Sequence, residues 1–143
     1  MKTLKQIIET KEIKELLKIS PTQTVIEALM VMAEYKIGAL LVTDKDKMVG
    51  IVSERDYARE IILHKKSSKE TLVKDIMTKK VLSLQPSDSF EKGLEIMSEK
   101  KIRHIPVLKG NKIIGMVSQG DLVKEMISHQ KDLISQLEIF IQN

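Results

Sequence analysis

Behind Thr24, the apolar residues Val25, Ala28, Leu29 and Met32 fall at i, i+3, i+4 and i+7, which is one face of a helix with Thr24 as its N-cap. The same spacing returns as Phe90, Gly93, Leu94 and Met97 behind Ser89. Ahead of each helix a short apolar stretch, Leu16 to Ile19 and Val81 to Leu84, stops at Ser20-Pro21 or Gln85-Pro86, where proline ends an extended segment and opens a turn. After each helix come two β-rich runs separated by polar residues. Residues 38–43 and 48–53 flank Asp44-Lys45-Asp46-Lys47, and residues 103–108 and 113–118 flank Lys109-Gly110-Asn111-Lys112, which predicts two hairpins. A closing helix is predicted after Ser53 (54–63) and after Ser118 (119–128), each serine standing as N-cap. The pattern is β-α-β-β-α written twice, an α/β (α+β) class.

The two halves hold one offset of 65 residues without a gap. Gly50-Ile51-Val52-Ser53-Glu54-Arg55-Asp56 returns as Gly115-Met116-Val117-Ser118-Gln119-Gly120-Asp121, and Pro21, Leu29, Met32, Ile37, Val42 and Lys47 return as Pro86, Leu94, Met97, Ile102, Val107 and Lys112. Such register points to duplication and fusion of one unit. The expected organisation is an N-terminal helical segment at 1–12, unit one at 13–63, a linker at 64–77, unit two at 78–128 and a C-terminal helix at 129–143. In that last helix Leu133, Leu137, Phe140 and Ile141 are spaced helically, forming a stripe that either covers the open side of the module or enters a dimer interface; a homodimer is the expectation.

Composition narrows the functions. Each repeat of about 60 residues is marginal alone, so the halves are expected to share a core. With no cysteine, disulfides, thiolate metal sites and cysteine nucleophiles are excluded. No apolar run approaches the roughly 18 residues of a membrane span, and the charged start at Met1–Glu9 does not read as an export signal, so a cytoplasmic protein with no membrane partner is expected. The net charge of +4 comes from 24 basic against 20 acidic residues, with lysines scattered among glutamates and only two Phe, two Tyr and no Trp for base stacking. Nucleic acid is therefore not expected as a partner. Three unclustered histidines do not make a metal site, and methionines such as Met30, Met32, Met97 and Met116 read as core filler.

Ser53 and Asp56 stand where a strand ends and a helix begins, the place where open α/β sheets bind ligands. A carboxylate there accepts from two vicinal hydroxyls, as on a ribose, while free helix N-terminal N–H groups favour an anion. The competing reading makes Ser53 and Asp56 a capping box that only stabilises the helix start. Repetition of Gly, Ser and Asp in the second copy favours a binding role. No Ser-His-Asp set, paired carboxylates or phosphate-binding glycine loop stands out, so no catalysis is expected.

The motifs Gly50 to Asp56 and Gly115 to Asp121, with Ile37-Gly38-Ala39-Leu40-Leu41-Val42 and Ile102-Arg103-His104-Ile105-Pro106-Val107, resemble the CBS (cystathionine β-synthase) domain, in the tandem pair called a Bateman module. Nearly the whole chain is covered, in the manner of a stand-alone pair. The resemblance implies two units related by a pseudo-twofold, with sheets face to face and helices outside, and two clefts for an adenosine-containing ligand such as AMP, ATP or NAD(H). It requires no other cofactor. Carried over by position, the main cleft combines Ser53, Arg55 and Asp56 with Thr78, Ser83, Ile102, Arg103 and His104; the motif aspartate holds the ribose, and the arginines suit phosphate. The second, weaker cleft combines Ser118, Gly120 and Asp121 with Lys18, Ile37, Gly38 and Ala39. There Gly120 replaces Arg55, Ile13 stands in place of Thr78, and Gly38-Ala39 replace Arg103-His104, leaving Lys18 and His104 to neutralise phosphate. The expected function is an adenine-nucleotide sensor that regulates a partner protein the sequence does not name. The alternative is a dimeric interaction protein with vestigial clefts.

Overall fold

The computed structural model describes residues 2–11 and 17–142; Ile13, and Leu16 at the start of the first predicted strand, lie outside the described residues. The chain divides into two compact units, one of Glu15–Leu82 and one of Met1–Lys14 together with Ser83–Asn143. They are named here for the repeat each contains. No helix of the described residues is long and apolar enough to cross a membrane.

In the repeat-one unit, β1 (Lys18–Ile19) runs parallel to β2 (Ala39–Asp44), which pairs antiparallel with β3 (Lys47–Ser53). Between β1 and β2 lies α2 (Val25–Tyr35), opened by a capping box in which Thr24 accepts from the Glu27 N–H and Glu27 reaches back to Thr24. It buries Val25, Ala28 and Met32, three of the periodic positions, against Ile19, Leu40, Val42 and Val52 of the strands. The predicted four-residue turn tightens to two residues, Lys45 and Asp46, both left-handed (φ 51° and 64°), the form whose twist matches flanking strands. After Ser53 the chain turns helical as α3 (Glu54–Tyr57) and then widens into a π-helical turn over Ala58–Ile62, where a plain α-helix was expected.

The repeat-two unit repeats this order with α4 (Phe90–Lys100), β4 (His104–Lys109), β5 (Lys112–Ser118) and α5 (Gln119–Gln142). Two differences have local causes. The predicted strand at Val81 to Leu84 shrinks to one parallel bridge, Leu84 to Val107. Pro106 stands where the first copy has Leu41, and without an N–H it cannot donate the second rung of the ladder that Lys18 and Leu41 make. The closing helix also does not stop near Ser128; it continues to Gln142, 24 residues in all, with the expected C-terminal helix as its continuation.

Each unit is completed by a segment from outside its own repeat. The end of the stretch expected as a linker, Val73 to Met77, inserts Val73 and Ile76 into the repeat-one core, with Val73 N–H bonded to Gln23 O and Lys74 N–H to Pro21 O, and Thr78, expected to open unit two, follows it into the repeat-one unit. The repeat-two unit is closed by α1 (Leu4–Glu9), whose Leu4 N–H bonds Asp88 O and whose Lys5 N–H bonds Pro86 O. Gln23 and Asp88 obey the offset of 65, but the closing segments match at 69.

The motif glycines mark where these segments land. A Cβ on Gly50 would sit 2.8 Å from both Met77 Sδ and the Thr78 carbonyl oxygen, whereas one on Gly115 would meet only Ile8 side-chain carbons at 3.1 Å. Backbone cannot yield as a side chain can. Gly50→Ala is expected to cost about 2 kcal/mol, within the usual range for overpacking, and Gly115→Ala clearly less. Urea denaturation of both variants checks this, and equal losses would contradict it.

Candidate functional site

The strand-to-helix junction of each unit is built from three local facts. Extended backbone at Ser53 (φ −130°, ψ 166°) ends β3, and its hydroxyl accepts from Asp56 N–H at 3.2 Å. Asp56 answers through Oδ2, which accepts from Ser53 N–H at 2.9 Å and from the Ser53 hydroxyl at 3.1 Å. The junction is thus a capping box in fact, as one of the two readings had it. The box occupies one carboxylate oxygen. Among the described residues, the other has a single long contact, Thr78 Oγ1 to Oδ1 at 3.5 Å.

Burial is the leading influence on Asp56 and raises its pKa above 3.8, outweighing the opposing bonds from Ser53 and Thr78 and the charge of Arg59. Thr78 reaches the site because its backbone forms an antiparallel bridge with Ile51, with N–H to Ile51 O at 2.8 Å and O from Ile51 N–H at 3.0 Å. Gly38 and Ala39 flank the same junction: Glu54 N–H bonds Gly38 O at 3.0 Å, and buried Ala39 pairs with Ser53. Ile37 is half-buried just behind α2, its N–H bonded to Met32 O. Arg55 is exposed on the first turn of α3. Lys18 is drawn toward the hairpin turn, where its ammonium pairs with Asp46 Oδ1 at 3.2 Å.

The repeat-two junction has the same frame. Ser118 N–H donates to Asp121 Oδ2 at 2.8 Å, and Asp121 N–H donates to Ser118 Oγ at 3.1 Å. Gln119 N–H bonds Arg103 O at 2.8 Å, His104 pairs with Ser118, Ile102 N–H bonds Met97 O, and exposed Gly120 lies in the first turn of α5. Ser83, exposed, precedes the bridging Leu84 of this unit.

Each unit therefore brings together its own Ser, its own Asp and its own stretch at 37–39 or 102–104. Ser53, Arg55, Asp56 and Thr78 share the repeat-one unit with Lys18, Ile37, Gly38 and Ala39. Ser83, Ile102, Arg103 and His104 share the other with Ser118, Gly120 and Asp121.

One participant was missed from the sequence. Lys11 Nζ lies 3.0 Å from Asp121 Oδ2 and donates to Met116 O at 2.9 Å. Burial again leads among the influences on Asp121, pushing its pKa up. The Ser118 N–H and the Lys11 charge and hydrogen bond prevail, so its pKa falls below 3.8. Nothing in the repeat flags Lys11, because the closing segments do not keep the offset of 65.

The geometry has counterparts in known proteins. The family model of the CBS domain matches residues 6–63 and 73–128. A mitochondrial CBS domain-containing protein of Arabidopsis thaliana, CBSX3, is 38% identical over 83% of this chain, and the match spans 60% of that protein's length; several other curated relatives are matched over a smaller share still. The solved structure of a protein with CBS domains from Burkholderia ambifaria is 45% identical, with a TM-score of 0.86 over 90% of this chain and 96% of that one. At 21% identity, the CBS domain pair of protein MJ0100, solved with 5-methylthioadenosine and S-adenosyl-L-methionine, has a TM-score of 0.78 over 90% of this chain and 98% of that one, a likeness of fold alone. With two domain matches that together cover most of its length, the chain belongs to the CBS domain family as a tandem pair.

Proposed function

We propose that the chain is a regulatory module that binds an adenosine-containing ligand (AMP, ATP or NAD(H)) at the Asp56 junction, performs no reaction of its own and passes the bound state to a partner protein. The observation that carries this reading is the Asp56 carboxylate: one oxygen is fixed by the Ser53 cap, and the other meets only a long hydroxyl contact among the described residues. A partly buried acceptor held so is suited to a ribose diol, whose hydroxyls replace lost water. The adenosine ligands of MJ0100 lend the reading support as an example of what this fold accommodates. Ligand binding that favours one arrangement of a two-unit chain is sufficient for signalling, because an equilibrium moves by the difference in affinity between its states.

AMP at a hundredfold excess over Kd is expected to stabilise the protein by about 2.7 kcal/mol, seen as a rise in Tm. Asp56→Ala should remove most of that rise. Because alanine also breaks the cap, Asp56→Asn, which keeps an acceptor for Ser53 N–H, should lose the response with less damage to the fold. A full ligand response in both variants would overturn the assignment.

The Asp56 environment also sets a pH dependence. Its ionised form accepts from both hydroxyls, and its raised pKa means protonation begins at a higher pH than for an ordinary aspartate. Affinity for adenosine, which has no phosphate to titrate in that window, should decline on acidification at a pH above the ordinary value of 3.8. Affinity flat down to 3.8 would contradict ionised Asp56 as the diol acceptor.

A second reading, a dimeric interaction protein with vestigial ligand sites, is favoured by α5. Beyond Ser128 this helix leaves Leu133, Ile134, Leu137, Ile139, Phe140 and Ile141 exposed, Phe140 by 80%. An apolar stripe of this kind is suited to a second copy of the chain. Truncation after Ser128 is expected to halve the mass measured by light scattering. A dimer that survives truncation does not depend on α5, and absence of any adenosine response would favour the second reading over the first.

A further inference from the structure

Both units carry the same Ser-x-x-Asp frame, yet what approaches the aspartate differs in kind. At Asp56 the approaching group is neutral, the Thr78 hydroxyl at 3.5 Å, and the backbone of Thr78 bonds Ile51 on the neighbouring strand. At Asp121 the approaching group is an ammonium, and it falls on Oδ2, the oxygen that the Ser118 N–H also holds. Lys11 Nζ bonds the carbonyl of Met116, the residue that repeats Ile51, and lies 3.0 Å from Asp121 Oδ2.

The arrangement is anchored. Leu4 and Ile7 of α1 are buried, Thr10 donates its hydroxyl to Ile7 O, and Lys11 N–H bonds Ile8 O at 3.3 Å, so the backbone that delivers the lysine is held to the repeat-two unit. The pair is also sheltered, with side chains 29% and 25% exposed, whereas those of Lys18 and Asp46 are 45% and 91% exposed. A sheltered, doubly anchored ion pair exceeds the marginal value of a surface one.

We infer that Lys11 determines which of the two motif aspartates accepts a diol ligand, acting as a tethered cation that neutralises the Asp121 carboxylate and leaves Asp56 as the competent site. This inference rests on the functional reading above. A ribose diol at Asp121 would have to share the carboxylate with a charge-assisted partner whose positive charge already draws on it, and any displacement would leave the Lys11 ammonium without its carboxylate in a half-buried place. At Asp56 the same ribose displaces water and one long contact.

The test uses the full chain with adenosine as probe, in isothermal titration calorimetry. The wild-type chain should bind one equivalent, and Asp56→Asn should lose it. Adding Lys11→Met, which keeps the aliphatic stem, to Asp56→Asn should restore binding at least tenfold over Asp56→Asn alone, while Lys11→Arg should not. If Lys11→Met leaves the Asp56→Asn chain unable to bind, or weakens what binding it has, the inference fails while the Asp56 reading stands. If the wild-type chain binds no adenosine, the functional reading fails. A second readout needs no ligand: in carboxyl-detected NMR, Lys11→Met should raise the titration midpoint of Asp121 and leave that of Asp56 in place. An unmoved Asp121 would overturn the inference on its own.

Discussion

The architecture depends on a closing contact that neither repeat supplies for itself. A hairpin with one helix leaves an open flank, and the flank is sealed by Val73 and Ile76 in one unit and by Leu4 and Ile7 in the other. The seal requires close backbone approach in the first unit, which explains why Gly50 opens the motif: any side chain there would strike the Thr78 carbonyl. The same approach presents Thr78 to Asp56. Core closure and site assembly are therefore one event in each unit, and a change that loosens the closing segment also displaces what touches the aspartate.

This dependence explains what could and could not be read from the sequence. Periodicity located α2, α4 and both hairpins, because their apolar faces are long enough to show a period and their caps, Thr24 and Ser89, announce the start. The closing segments are short and sit among charges, so Val73 and Ile76 look like part of a polar linker although they lie in the core. Their match at 69 rather than 65 hides them further, since a search at one register passes over a four-residue slip. The one-rung bridge at Leu84 was legible in principle from Pro106, whose missing N–H forbids a second rung. The π-helical turn at Ala58–Ile62 has no local sequence signature that announces it.

At the site, the sequence posed a choice between cap and ligand contact that the structure dissolves. A carboxylate has two oxygens, and the cap uses one of them. By fixing Oδ2 of Asp56 against Ser53, the capping box orients Oδ1 without loss of conformational freedom at the moment a ligand arrives, which is how preorganised sites gain affinity. Capping and the proposed ligand contact are thus compatible uses of one side chain.

The same frame accounts for how a duplicated motif can diverge while its letters stay fixed. Ser118 and Asp121 reproduce the two backbone hydrogen bonds of the Ser53–Asp56 box, so selection on fold stability alone would keep both. What differs is contributed by the closing segments, which lie outside the 65-residue register and are free to vary. Burial raises the pKa of Asp56 against neutral donors and the charge of Arg59, whereas at Asp121 the Ser118 N–H and the Lys11 ammonium overcome burial. Two carboxylates with like caps thus hold opposite electrostatic positions, one facing neutral donors and one supplied with a cation from within the chain. The motif fixes the cap at each junction; the segment that closes the unit fixes whether a hydroxyl or an ammonium meets the carboxylate.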